Sequence, residues 1–230
     1  MTQLTKTFDL IIMGATGFTG RLVAEHIEAH GGTINWAIAG RNEQKLETIQ
    51  REFAPSAKIV VADSLSDDAM NALAAQTKVI ASTAGPFAQL GSPLVAACAQ
   101  HGTDYVDITG ETQWIRHTID THHEAAQASG ARIIHCCGFD SIPSDLGVHL
   151  LAQALRTQSE KLECLGILTK IRGGLSGGTF ASIQNLVKTA RDRKVARVLA
   201  HPMSLNPRPL PKTREPSDQK EARYIKALDM

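Results

Sequence analysis

Short apolar runs alternate with longer amphipathic segments along the first 150 residues of the chain. The strand-like runs cover residues 8–13, 34–39, 58–62, 78–82, 103–107 and 131–135. Helix-like segments separate them: residues 17–30 and 42–53, a helix that starts after Ser66, a helix that starts at Ser92-Pro93, and residues 112–129. Short continuous apolar runs fit strands that are buried on both faces of a parallel sheet. The alternation therefore predicts an α/β fold with a doubly wound parallel sheet.

Capping residues support the predicted helix ends. Ser66 precedes Asp67 and Asp68, which are acidic residues at the helix end that favours negative charge. Pro93 occupies the first turn of the next helix, where proline is tolerated. The pair Gly31-Gly32 is expected to stop the first helix in a left-handed conformation.

The pattern changes after residue 150, which predicts a domain boundary between residues 1–150 and 151–230. Residues 162–171 resemble a strand and residues 180–191 a helix, with four glycines in the seven residues 173–179 between them. Residues 188–230 contain 11 Lys and Arg against 5 Asp and Glu, and the tail from about residue 200 is rich in proline. We expect a solvated linker or part of a second domain there. Contact with phosphates or anionic lipid stays an alternative.

Composition excludes several classes of protein. Of the 230 residues, 43% are apolar and 20% charged, which is incompatible with bulk disorder. The formal net charge of +1 and the 4% aromatic content argue against a nucleic-acid binder. Four cysteines are too few for a disulfide-built secreted fold. Without a signal peptide or an apolar run of membrane-spanning length, we expect a cytoplasmic protein. Peripheral membrane association is left open.

The strongest chemical motif directly follows the first predicted strand and opens an amphipathic helix. It is a G-x-x-G-x-x-G sequence formed by Gly14, Ala15, Thr16, Gly17, Phe18, Thr19 and Gly20. Glycines in this context allow a tight turn and the close approach of a pyrophosphate. The helix N-terminus offers free N–H groups to the anion. The motif therefore predicts a dinucleotide-binding site.

The ends of the next two strands bear on which cofactor is bound. An NAD site usually carries Asp or Glu at the end of the second strand. This chain has Arg41 there, and a guanidinium can pair with a 2′-phosphate. We therefore expect NADP(H) rather than NAD(H). Asp63, after the third strand, could bind the adenine or a ribose. A purely local turn is an equally good interpretation of Asp63.

Two further regions are candidates for the reacting end of the cofactor and for catalysis. Ala84, Gly85 and Pro86 follow the fourth strand, where small residues let the backbone approach the nicotinamide side. Asp107, Glu111 and Asp140 lie in polar segments at the ends of the fifth and sixth strands. A carboxylate at that edge could relay a proton or orient a substrate. Turn and capping roles are the alternative for each.

Two familiar types of site are not expected. The Tyr-x-x-x-Lys pair of short-chain dehydrogenases is missing, because Tyr105 is followed four residues later by Thr109, and Tyr224 by Leu228. A metal site is not expected at His122-His123 either, since adjacent side chains on a helix point about 100° apart.

Taken together, these motifs resemble the saccharopine dehydrogenase family. The resemblance rests on Gly14–Gly20, on 39–41 and 84–87, on Tyr105-x-Asp107-x-x-Gly110-Glu111, and on 138–145 and 174–179. The more similar branch is that of the saccharopine dehydrogenase-like oxidoreductases, which includes trans-acting enoyl reductases. The resemblance implies a Rossmann-type domain that binds NADP(H), followed by a second α/β domain over the cofactor cleft. Family members are longer, so the second domain is expected to be incomplete here.

The resemblance also implies an activity. We expect hydride transfer from NADPH to a lipid-linked enoyl or carbonyl substrate. A reductase of an amino-acid-derived imine and a non-catalytic NADP-binding sensor or lipid-associated scaffold are the alternatives. The expected partner is a small-molecule or lipid-linked substrate, and a homodimer is left open.

Overall fold

A parallel six-stranded sheet forms the centre of the protein. The computed structural model describes residues 6–160, 177–201 and 203–207. The strands are β1 (Phe8–Met13), β2 (Trp36–Gly40), β3 (Lys58–Val61), β4 (Thr77–Ser82), β5 (Asp104–Asp107) and β6 (Ile133–Ile134). Their order across the sheet is β3-β2-β1-β4-β5-β6, and every neighbouring pair is parallel. The direction of winding reverses between β1 and β4, which is where such sheets bind ligands.

Helices cover both faces of this sheet. In the described residues they are α1 (Phe18–His30), α2 (Glu43–Phe53), α3 (Asp67–Ala75), α4 (Phe87–Leu90), α5 (Ser92–His101), α6 (Thr112–Ser129), α7 (Ile142–Thr157), α8 (Gly177–Thr189) and α9 (Arg193–Ala200). The predicted doubly wound α/β fold is confirmed. The sequence analysis missed α4 and α9.

The predicted caps are largely confirmed. The Ser66 hydroxyl accepts the N–H of Ala69 at 3.2 Å, so this serine caps α3 as expected. The end of α1 differs from the prediction, since Gly31 is right-handed and only Gly32 takes the left-handed conformation, with φ of +64°. The left-handed residue therefore follows one position later than a simple glycine cap would place it.

Alternate residues of β1 build the two halves of the core. Ile11 packs in a cluster with Ile80 and Leu94, under α3, α5 and α6. Ile12 packs on the opposite face with Leu46, under α1 and α2. Both isoleucines are completely buried, which is the expected consequence of a central strand covered on both faces.

The described residues beyond position 160 pack against the sheet domain. Arg116 on α6 donates from Nη1 to the carbonyl oxygens of Ser204 and Asn206, both at 3.3 Å, and from Nη2 to Asp120 at 2.6 Å. The predicted strand 162–171 and most of the basic tail lie outside the described residues. The α/β nature of a second domain therefore stays a prediction. Within the described part of the chain, no helix combines the length and apolar character needed to cross a bilayer.

An ion pair at the sheet edge makes the stability of the fold depend on pH. Arg132 donates to the Asp104 carboxylate from its backbone N–H and its guanidinium, and this holds the pKa of Asp104 below its usual 3.8. The stabilisation is complete above the unfolded pKa and is lost as the pH falls through the lower folded pKa. We expect Arg132→Met to lower the unfolding free energy by about 1 kcal/mol at neutral pH. In urea titrations at decreasing pH, this difference should shrink once the pH falls below the unfolded pKa of Asp104. A difference that persists in acid would contradict this assignment.

Candidate active site

The glycine motif forms the turn between β1 and α1 that the sequence predicts. Gly14 has a φ of +87°, a conformation that favours glycine. Its N–H donates to the Ala39 carbonyl at 2.9 Å, and its carbonyl accepts the Gly17 N–H at 3.0 Å. The Thr83 hydroxyl lies 3.1 Å from the Met13 carbonyl and 3.2 Å from that of Gly14. The turn is therefore fixed to both neighbouring strands.

Gly20 allows α1 to pack tightly against this turn. A Cβ atom at position 20 would lie 2.2 Å from the Gly14 carbonyl oxygen, 2.7 Å from the Thr83 hydroxyl and 2.8 Å from the Ala15 Cα. These distances leave no room for a side chain. The third glycine of the motif thus has a packing role, as it has in dinucleotide-binding turns generally.

The N-terminus of α1 is open towards a cleft. Gly17 is the N-cap residue, and no side chain caps the helix. Phe18 and Thr19 line the cleft, whereas Ala15 is buried in the core and Thr16 is exposed. An uncapped helix start in this position can donate N–H groups to an anion.

Arg41 and Asp63 lie at the same edge of the sheet as the glycine turn, because they follow the parallel strands β2 and β3. Arg41 is exposed and has no ion pair within the described residues. The carboxylate of Asp63 accepts the Leu65 N–H at 3.0 Å, so it already makes the local turn that was the alternative interpretation. The positions of both residues are compatible with a nucleotide along this edge.

A cleft of about 580 Å³ joins the glycine turn to two of the three predicted catalytic residues. Its walls come from the α1 start, from residues 83–87, from the segment 108–111, and from Asp140 and α8. The lining residues are Gly17, Phe18, Thr19, Thr83, Gly85, Phe87, Ile108, Thr109, Gly110, Glu111, Asp140, Gly177, Gly178, Thr179, Ser182, Ile183 and Leu186. The predicted residues Glu111, Asp140 and Gly85 therefore meet in one cavity. Asp107 is not part of its wall.

Glu111 is a buried carboxylate surrounded by donors. Its Oε1 accepts the Phe87 N–H at 2.7 Å and the Ser182 hydroxyl at 3.1 Å, and its Oε2 accepts the Ala88 N–H at 3.2 Å. Only 4% of its surface is exposed. These contacts fix residues 86–88, and thus one end of the loop that contains Ala84, Gly85 and Pro86.

Asp107 lies beneath the cleft and organises the ends of β5 and β6. Its Oδ2 is 2.7 Å from Nδ1 of His135, while Oδ1 accepts the N–H groups of Thr109 and Cys136, both at 3.1 Å. The other ring nitrogen of His135 is 3.0 Å from the hydroxyl of Thr118. Asp107 is 1% exposed, so any effect it has on a ligand passes through these neighbours.

Asp140 differs from Glu111 and Asp107, since its side chain is exposed at the cleft wall. Of the three predicted catalytic carboxylates, it is the one that a ligand in the cleft can reach most directly. It lies just before α7, whose first turn contains Pro143, a position where proline is tolerated.

The thiols beside this region are not activated. Burial raises the pKa of both Cys136 and Cys137, and the charge of Asp107 raises each further. Both therefore stay protonated at neutral pH. Among the described residues, no group of three His, Cys, Asp or Glu side chains could hold a metal ion.

Two site residues escaped the sequence analysis. Thr83 is not among the predicted site residues, yet its hydroxyl contacts the glycine turn. Ser182 lies 71 positions after its partner Glu111, and no local pattern indicates such a contact.

A parallel sheet in this order, with a glycine turn and an uncapped helix at its switch point, defines a dinucleotide-binding α/β protein of the Rossmann type. A family model described as the saccharopine dehydrogenase NADP-binding domain matches residues 10–134. The chain belongs to the saccharopine dehydrogenase family of oxidoreductases, as the sequence motifs indicate.

Named relatives agree with this assignment, and a solved structure shares the fold. A putative trans-acting enoyl reductase of Mycobacterium tuberculosis is 41% identical over 90% of this chain and 51% of its own length. A trans-acting enoyl reductase of Mycobacterium leprae is 38% identical over 87% of this chain and 50% of its own length. The chain therefore spans about half the length of these relatives. The saccharopine dehydrogenase (L-Glu forming) of Saccharomyces cerevisiae has a similar fold, with a TM-score of 0.51 at 17% identity over 66% of this chain and 32% of that one.

Proposed function

We propose that this chain forms the NADP(H)-binding part of an enoyl reductase. The glycine turn 14–20 and the open start of α1 would bind the pyrophosphate. Arg41 would bind the 2′-phosphate, so that NADP(H) is preferred over NAD(H). The observation that carries this proposal is the uncapped N-terminus of α1 beside a turn with no space for side chains at Gly14 and Gly20. When bound, NADPH supplies the hydride, and the protein supplies orientation and a dry site.

The residues of the cleft suggest how a substrate is oriented. We propose that residues 84–86 face the nicotinamide side and that Asp140 contacts the substrate. Glu111 and Asp107 would act indirectly, because their oxygens already accept hydrogen bonds from the protein. In an enoyl reduction the hydride adds to the β-carbon of the double bond and a proton to the α-carbon. Asp140 is our candidate for that proton transfer.

A lipid-linked enoyl group is the substrate that we favour. The relatives are named enoyl reductases. The cleft wall also carries exposed apolar side chains, with Phe18 at 68% exposure on α1 and Ile183 at 44% on α8. Such side chains favour an apolar ligand.

The role of Arg41 can be tested by fluorescence titration with NADPH and NADH side by side. We expect NADPH to bind more tightly, and Arg41→Ala to weaken NADPH binding by about tenfold or more, since a charge-assisted contact is worth about 1.5–3 kcal/mol. NADH binding should be unchanged. Arg51→Ala, which removes an exposed arginine of α2, is the matched control. Equal binding of the two cofactors would remove Arg41 from this role.

Turnover is tested by NADPH oxidation with an enoyl thioester. Consumption of NADPH that depends on the thioester supports the reductase. Tight NADPH binding without turnover, in this chain and in a full-length relative, would instead support a nucleotide-binding protein without catalysis.

A further inference from the structure

Glu111 joins three parts of the molecule at a single buried carboxylate. The residue itself precedes α6. The N–H groups of Phe87 and Ala88 belong to the first turn of α4, and the Ser182 hydroxyl belongs to α8. A buried carboxylate depends on such donors, because the loss of one leaves part of its charge unsatisfied. The Glu111 carboxylate therefore depends on the positions of both α4 and α8.

The short helix α4 depends on this carboxylate for its position. It has only four residues, which is far below the length at which a helix is stable by itself. Its first two N–H groups end on Glu111 rather than on a local cap. Pro86, directly before α4, belongs to the loop that we place against the nicotinamide side. Movement of α4 therefore moves that loop.

Helix α8 is tied to the same region by two side-chain contacts of different character. The Ser182 hydroxyl reaches the buried Glu111, whereas Gln89 Nε2 donates to Asn185 Oδ1 at 3.1 Å on the exposed side. Residues of α8 between Gly177 and Leu186 also form a wall of the cleft. The first contact couples α8 to the loop through the carboxylate, and the second joins the same helices without it.

We propose that Glu111 is a positioning residue that couples the placement of α8 to the geometry of residues 83–87. When Ser182 is in contact with Glu111, the carboxylate holds the first turn of α4 and the loop before it. When α8 moves away, Glu111 loses a donor and the loop is held less firmly. The consequence for NADP(H) rests on the proposed function, whereas the coupling itself does not.

Amide hydrogen exchange tests the coupling in the protein without cofactor. We expect Ser182→Ala to speed exchange at Phe87 and Ala88 by about three- to tenfold, because Glu111 loses a neighbouring donor and holds these amides less firmly. Gln89→Ala, the matched control, should change the exchange rate at these two amides by less than about twofold. Ser182→Thr retains the hydroxyl and should restore slow exchange. Equal effects of the Ser182→Ala and Gln89→Ala substitutions would overturn the proposal.

Trp114 provides the cofactor readout. Its ring packs on Phe87 with centroids 5.7 Å apart, so its fluorescence reports on the first turn of α4. In a Trp36→Phe background, Trp114 is the single tryptophan. We expect Ser182→Ala to raise the Kd for NADPH by about three- to tenfold and Gln89→Ala to leave it unchanged. An unaltered Kd for NADPH in Ser182→Ala would overturn the link to the cofactor. If the wild-type protein itself binds no NADPH, the proposed function fails while the exchange result still decides the coupling.

Discussion

Replacing Asp107 by alanine should lower the unfolding free energy by about 3–5 kcal/mol, because it leaves two buried backbone N–H groups without an acceptor, each at a cost of about 1–3 kcal/mol. The substitution leaves the N–H groups of Thr109 and Cys136 without their acceptor, and it leaves His135 facing a cavity. Urea unfolding at neutral pH measures the effect.

Asp107→Asn is the matched control, and its expected cost is about 1 kcal/mol. The Thr118 hydroxyl is 2.8 Å from the Ile115 carbonyl and donates to it, so it accepts from the Nε2–H of His135. A neutral His135 then has a free lone pair on Nδ1, which the asparagine amide can satisfy. Equal losses for the two substitutions would show that charge rather than hydrogen bonding matters. A negligible loss for Asp107→Ala would remove Asp107 from its organising role.

Gly20→Ala should destabilise the protein by about 3 kcal/mol and abolish NADPH binding, because overpacking forces backbone shifts. The new Cβ would lie 2.2 Å from the Gly14 carbonyl oxygen, so the turn must move. Thermal unfolding and the NADPH titration measure the two effects.

Gly147→Ala is the control for this substitution. Position 147 lies within α7, and a Cβ there would have no atom within 4 Å other than those of the local helix backbone. We expect a gain of about 0.5–1 kcal/mol from helix propensity, with NADPH binding unchanged. Normal NADPH binding by Gly20→Ala would show that the turn tolerates a side chain, and the packing argument for the third glycine would fail.

The sequence was sufficient to predict the sheet and the positions of the glycine turn and Arg41, because these features depend on local pattern. The buried run before Gly14, the cap at Ser66 and the position of Arg41 after β2 are each readable from a few neighbouring residues. Parallel strands then bring their carboxyl ends to one edge, so Gly85, Glu111 and Asp140 were expected to meet, as they do.

The features that were missed depend on contacts between distant residues. The short α4 is held by Glu111, which lies 24 positions after Phe87. Its four residues are too few to show a helical pattern in the sequence. The wall formed by α8 and the contact between Ser182 and Glu111 follow from tertiary packing. Whether Asp107 faced the cleft or lay beneath it also depended on the position of His135, which only the fold supplies.

The alternation of Ile11 and Ile12 between the two core clusters has a consequence for how the gene can change. Side chains on a strand point to opposite faces in turn, so one inserted or deleted codon within β1 would reverse every following side chain up to Met13. The same change in strand length would displace Gly14 from the end of the strand. Length variation among natural relatives should therefore be excluded from β1 and should accumulate in surface connections such as residues 31–35.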